Sequence, residues 1–156
     1  MKKLIKFFDI LLTGLIAGII LGICIGYNPH NLSAIAYVEQ QQNAIRSLNV
    51  LMPALGLIAI ILTFIYAFLC KGGNLNRNLL LVAAVFLIAS GLITKFGNQP
   101  INALVITWDT GNIPDTWTAL RDEWWTFHIL RTLSTLAGFT LIVWVSINHK
   151  ENDTTA

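Results

Sequence analysis

Four long apolar segments dominate this chain. The first runs from about Leu4 to Gly26, with only Lys6 and Asp9 near its start. The second runs from about Leu48 to Cys70 without a charge, the third from about Leu79 to Gly97 with Lys95 alone, and the fourth from about Trp125 to Ile147 with His128 and Arg131. Each approaches or exceeds the ~20 residues that carry a helix across ~30 Å of hydrocarbon. None alternates as a barrel strand must, so the backbone groups can be satisfied in lipid only by helices. The expected fold is all-α: one transmembrane four-helix bundle over residues 1–150, followed by a short polar tail at 151–156. Only 12% of the residues are charged, about half the usual share for a soluble domain. A net charge of +2 leaves no electrostatic footprint for nucleic acid.

Met1-Lys2-Lys3 before an apolar stretch resembles a secretion signal, but the stretch is long and no small-residue cleavage site follows. A retained first span is expected. Lys2, Lys3, Lys6, Lys71, Arg77 and Lys150 fall on one side of the bundle, against Arg46, Arg121 and Lys95 on the other. The positive-inside rule then predicts a multi-pass protein of the cell membrane with both termini in the cytoplasm. Trp108, Trp117, Trp124 and Trp125 gather on the outer side, where an aromatic belt belongs.

The connections differ in length. Lys71-Gly72-Gly73-Asn74 opens a short turn that makes spans two and three antiparallel neighbours. Tyr27 to Arg46 starts with the turn signal Asn28-Pro29 and continues as a Gln-rich interfacial helix. The segment from Asn98 to Trp124, about 27 residues, is long enough to need structure of its own, and a helical outer loop is expected there. Thr110-Gly111-Asn112 reads as a turn and Asp115-Thr116 as a helix start. Pro53 lies near the start of span two, where it either begins the helix or kinks it.

Gly14, Gly18, Gly22 and Gly26 share one face of span one, a GxxxG-type stripe that lets another backbone approach closely. Packing against another span of the same chain is favoured over a homodimer through these four glycines. Cys24 and Cys70 sit in apolar runs and read as small buried residues. No metal-ligand spacing, P-loop, dinucleotide fingerprint or haem motif is present, so neither a metal nor another cofactor is expected.

The residues that point to chemistry lie around the end of span three and the start of span four. Ser90, Thr94 and Asn98 share a face, and Gly97-Asn98-Gln99-Pro100 reads as a helix end, with Asn98 or Gln99 capping a short new helix that carries Asn102. Trp124, His128 and Arg131 share one face of span four, with Trp125 beside it. Taken singly, Arg131 and His128 read as an interfacial anchor or as internal hydrogen-bond partners. Together, ionisable groups inside a span indicate a functional site.

The pattern Asn98-Gln99-Pro100-Ile101-Asn102, then Trp108 and Trp117, then Arg121, Trp125, His128, Arg131 and Thr132 entering the last span, resembles the anthrone-oxygenase-like family of small four-span membrane proteins. Some members oxidise polyketide anthrones to anthraquinones with molecular oxygen and no evident metal or flavin. His128 departs from the members nearest the characterised oxygenases, which tend to carry Asn there. The resemblance implies a cofactor-free oxygenase acting on a hydrophobic aromatic or quinone-like molecule in an outer-side polar pocket. His128 would be the catalytic base and Arg131 the oxyanion stabiliser. Asn98 and Asn102 would hydrogen-bond substrate oxygens, while Trp108, Trp124 and Trp125 would stack on its ring. The competing expectation is a non-catalytic binder of lipid or quinone, or a subunit of a membrane complex.

Overall fold

The computed structural model describes residues 1–70 and 74–148. The expected turn residues Lys71, Gly72 and Gly73, together with Lys150 and the polar tail, lie outside the described residues. Six helices follow one another: α1 (Lys2–Gly26), α2 (Ala34–Leu48), α3 (Leu51–Leu69), α4 (Asn74–Ile93), α5 (Gln99–Val105) and α6 (Trp117–Asn148). Four helical stretches are long and apolar enough to cross a membrane, built on α1, α3, α4 with its extension through α5, and α6. The chain is a multi-pass membrane protein with an all-α bundle fold.

The four long helices form a ring in which α1 packs on α3, α3 on α4, α4 on α6 and α6 on α1. The start of α1 and the end of α6 lie together at one end of this ring, called the terminal end. The other end is closed by α2, α5 and the loop that follows α5, and is called the α2 end below. Two apolar cores result. One, at the terminal end, centres on Tyr66, Leu80, Leu87 and Ile142. The other, at the α2 end, gathers Tyr37, Val38, Ile101, Val105 and Trp124, with Trp108, Trp117 and Trp125 partly buried around it.

Local chemistry explains the short elements. The Asn28 side chain accepts from the His30 N–H at 3.1 Å and opens a single turn over Pro29–Asn31. Ser33 caps α2 by accepting from the Ala36 N–H. Pro53 falls in the first turn of α3, where its missing N–H leaves no bond unmade. After α5, Asp109 accepts from the Gly111 N–H and pairs with Asn112 in a tight turn before α6.

Span three departs from expectation. No helix end forms at Asn98, and neither Asn98 nor Gln99 caps a new helix. Residues Thr94–Asn98 instead form one wider π-helical turn that leads directly into α5, with the Gln99 N–H reaching back to the Thr94 carbonyl. Pro100 lacks an N–H and would crowd the carbonyl four residues earlier. Widening the turn relieves that crowding without breaking the rod. The turn also places Gly97 against α6, where an added Cβ would overlap the Phe127 ring.

Polar pairs and bare backbone hold the bundle together, because lipid gives helices no hydrophobic reason to associate. Ser90 and Thr135 are hydrogen-bonded at 2.8 Å between α4 and α6, and Ser134 donates to the Phe86 carbonyl at 2.8 Å. Gly138 lets α6 lie close to the Ala83 carbonyl, 3.1 Å from where a Cβ would stand. At the terminal end the fully buried Asp9 accepts from Thr63 at 2.8 Å, joining α1 to α3, and Lys6 donates to the Ser146 carbonyl at 2.6 Å.

The glycine stripe is only partly used inside the molecule. Gly14 packs against Phe139, whereas a Cβ on Gly18, Gly22 or Gly26 would meet nothing within 4 Å. Cys24 and Cys70 form no disulfide among the described residues; Cys70 is buried as expected, whereas Cys24 is half-buried.

Gly97→Ala is expected to force Phe127 out of its seat and to lower stability by about 1–3 kcal/mol. Thermal unfolding in mild detergent checks this. An unchanged midpoint would show that α6 is not anchored at the π turn.

Candidate functional site

Between the two apolar cores the bundle is hollow. Two cavities lie there, of about 420 and about 370 Å³, within the size range of small-molecule sites. The smaller one sits under α2; its wall is largely apolar but gathers the polar groups of Tyr27, Gln41, Asn49, Asn102 and Arg131, with the Trp124 ring, and it is called the polar cavity below. The larger one is mostly apolar and lies between α3 and α4. Ile20, Met52, Pro53, Thr94 and Arg131 line both. Arg131 therefore stands at the seam.

The polar cavity is built around Asn102. The π turn and α5 bring its amide under α2, where Oδ1 accepts from Gln41 Nε2 at 3.1 Å and from Trp124 Nε1 at 2.9 Å. Its Nδ2 donates to Asn49 Oδ1 at 2.8 Å. Gln41 is fixed from its other side by the Tyr27 hydroxyl, which donates to Oε1 at 3.3 Å. Gln42 clips α2 over the end of α5 by donating to the carbonyls of Val105 and Trp108, at 3.0 and 2.8 Å. The glutamine-rich helix is the roof of the cavity.

Asn98 is fully buried behind this shell. Its Nδ2 donates to the Trp124 carbonyl at 2.9 Å, and its Oδ1 has no partner. Trp124 is thus held at its backbone by Asn98 and at its indole nitrogen by Asn102. Tyr37 is also fully buried, with its hydroxyl unpartnered and its ring 5.8 Å from that of Trp117. Burial raises the Tyr37 phenol above its ordinary pKa, so it stays neutral.

His128 lies flat beneath Trp124, centroids 5.1 Å apart with planes 2° apart, and 5.4 Å from the Trp125 ring. It is fully buried. Arg131 sits one turn along α6 and donates to His128 Nδ1 from Nε at 3.1 Å and from a terminal nitrogen at 2.9 Å. A nitrogen that accepts two N–H groups carries no proton, so the imidazole holds its hydrogen on Nε2. That nitrogen has no hydrogen-bond partner; the Ile20 carbonyl faces it outside hydrogen-bond geometry.

The guanidinium has five N–H donors. Two go to His128, and no other side chain or carbonyl takes the remaining three among the described residues. No carboxylate lines either cavity. The nearest ion pairs of α6 lie outside the hollow, where Asp122 meets Arg121 at 2.8 Å and His30 at 3.1 Å. Arg131 is a cation inside a membrane-spanning helix, supported by a neutral ring and open to an empty space.

Of the residues singled out in the sequence, Asn102, Trp124 and Arg131 line the polar cavity, while Asn98 and His128 stand behind its wall. Trp108 and Trp125 line neither cavity; they pack in the core at the α2 end. Tyr27, Gln41 and Asn49 line the cavity and had no role assigned from the sequence. The signal was the run of glutamines at 40–42, whose facing partner at Asn102 only the fold reveals.

Asn102→Leu is expected to orphan Gln41, Asn49 and the Trp124 N–H together. At about 1–3 kcal/mol for each buried group left unpaired, the folded state should be strongly destabilised. Tryptophan fluorescence during thermal unfolding checks this, and a variant as stable as the parent would show that the network bears no load.

The profile of the anthrone oxygenase family matches residues 42–141, more than half of the chain. The match takes in Asn49, Asn98, Asn102, Trp124, His128 and Arg131, and leaves out Tyr27 and Gln41. No curated protein and no solved structure gives a match. The chain belongs to the anthrone oxygenase family.

Proposed function

We propose that this protein is an oxygenase that acts, without a cofactor, on an aromatic or quinone-like molecule whose oxygen becomes anionic beside Arg131. The observation that carries the reading is the half-buried guanidinium with three free N–H groups and no carboxylate in the walls of either cavity. Such a group stabilises negative charge developing on a bound oxygen, and does so more strongly where water is excluded. The distribution of basic residues supports a site facing the outer side of the membrane.

The chemistry runs as follows. A ring methylene flanked by aromatic rings and conjugated to a carbonyl enolises, and the enol oxygen ionises beside Arg131. Its proton passes to water at the cavity mouth, where Gln40 is exposed. The carbanion form gives one electron to molecular oxygen, and the radical pair recombines as a carbon-bound peroxide. The peroxide takes a proton back from that water, and the hydroperoxide loses its remaining C–H proton together with hydroxide as water, so that the methylene becomes a carbonyl, one oxygen atom enters the product and one leaves as water. Asn102 has one N–H left to hold a second substrate oxygen, and Gln41 and Asn49 line the space around it.

In this reading His128 positions Arg131 and is not the base. Its only ring lone pair is engaged by Arg131, and it lines neither cavity. An asparagine in its place, as in the family members noted above, also offers an oxygen to Arg131 but cannot abstract a proton. The two hydrogen bonds from Arg131 to Nδ1 support a positioning role.

Oxidation of a hydroxyanthrone by the detergent-purified protein, measured against the protein-free reaction, tests the proposal. Arg131→Gln is expected to lower turnover by about a hundredfold, the scale of losing one oxyanion donor. His128→Ala is expected to lose much of the activity and His128→Asn to recover it. Turnover unaffected by Arg131→Gln, or absent in the parent protein despite tight binding, would favour a non-catalytic binder.

A further inference from the structure

The larger cavity has no part in the chemistry just described, yet it meets the polar cavity at Arg131. Its back wall is buried: Ile16 and Ile20 of α1 and Leu87 of α4 are each under a tenth exposed. Its front is open. Leu57 on α3 and Leu92 on α4 line the cavity and are 60% and 52% exposed. Residues that are both lining and exposed mark a mouth, and this one lies between two membrane-spanning helices, on the half of the bundle nearer α2.

Glycine keeps the mouth clear. Gly56 on α3 and Gly91 on α4 both line the cavity, and a Cβ on either would meet nothing within 4 Å. Glycine in a helix interior costs up to ~1 kcal/mol against alanine, so two in one cavity wall need a reason. Neither serves close helix packing, in contrast to Gly97 and Gly138.

The charge is one-sided. Lys95 lines the same cavity at its mouth, is exposed, and pairs with no carboxylate among the described residues. Lys95 and Arg131 thus bracket the cavity with two cations and no carboxylate, while the rest of the wall is mostly apolar, with Ser90, Thr94, Gln99 and Thr135 as uncharged polar groups. At about 420 Å³ the space fits a drug-sized molecule. It does not enclose both chains of a phospholipid.

We infer that the crevice between α3 and α4 is a side door through which an amphipathic molecule bearing an acidic oxygen passes from the bilayer to Arg131. The apolar body of the ligand travels between Gly56 and Gly91, and its anionic oxygen passes from Lys95 to Arg131. The inference rests on Arg131 receiving an anion, as in the proposed function, but does not require oxygen chemistry.

The test uses anthracene carboxylate and its uncharged methyl ester, with energy transfer from the protein's tryptophans as readout, in phosphatidylcholine nanodiscs. The carboxylate is expected to bind at least about tenfold more tightly than the ester, and Lys95→Gln to reduce that preference severalfold. Gly91→Phe plugs the mouth where space is free and is expected to slow association of bilayer-loaded probe about tenfold, as a group that must be displaced at each passage. Leu57→Trp is a second plug from the facing helix. Val85→Phe, on an exposed face of α4 that lines neither cavity, is expected to leave the association rate unchanged. Equal binding of acid and ester overturns the inference. So does a rate that neither plug changes, or displacement of the probe by phosphatidylglycerol, which would mark a headgroup site. Loss of hydroxyanthrone turnover with the acid preference intact would refute the oxygenase reading and leave the side door standing.

Discussion

The organisation of this protein turns on one unpaired cation. Placing a guanidinium within a membrane span costs free energy, roughly 2.5–3.5 kcal/mol at the bilayer centre on insertion scales. A structural arginine would recover that by pairing with a carboxylate. Arg131 pairs with a neutral imidazole, which orients the guanidinium without cancelling its charge. The field left over is directed at two cavities whose walls carry no carboxylate. Everything around it preserves that condition: tryptophan rings cover His128, Asn98 and Asn102 fix Trp124, and the glutamine-rich α2 roofs the space.

The scaffold follows from the same economy of polar groups. Buried and half-buried asparagines and glutamines at the α2 end bond mainly to one another or to backbone carbonyls, so the network keeps its shape in a setting where a loose polar group is costly. The π turn at 94–98 is the hinge of the design. It absorbs Pro100, keeps span three continuous, and rotates Asn102 beneath α2 while Asn98 meets α6. A helix broken at Asn98 would free backbone groups and lose that register.

Much of the fold was legible in the sequence, because hydrocarbon thickness sets the length of an apolar helix. All four spans and the helix in the first loop follow from run length and turn residues. The π turn was not legible: Gly-Asn-Gln-Pro signals a helix end in water, and only Phe127 against Gly97 reveals that the rod continues. At the site, spacing on span four placed Trp124, His128 and Arg131 on one face, and the structure has them in contact. Spacing could not say which of them faces the hollow, since that depends on the rotation of α6 against α4. Nor could it show that Gln41 and Asn49, distant in sequence from Asn102, complete the wall. The two cavities are spaces between helices and leave no mark in any single segment.

The most direct measurement is nitrogen NMR of the protein with labelled histidine and arginine side chains in lipid nanodiscs, with and without a hydroxyanthrone. His128 is expected to be neutral, with Nδ1 unprotonated and hydrogen-bonded, and the ligand to shift the free terminal nitrogens of Arg131 while His128 keeps its tautomer. An imidazolium at His128, or Arg131 resonances that do not move at saturating ligand, would contradict this.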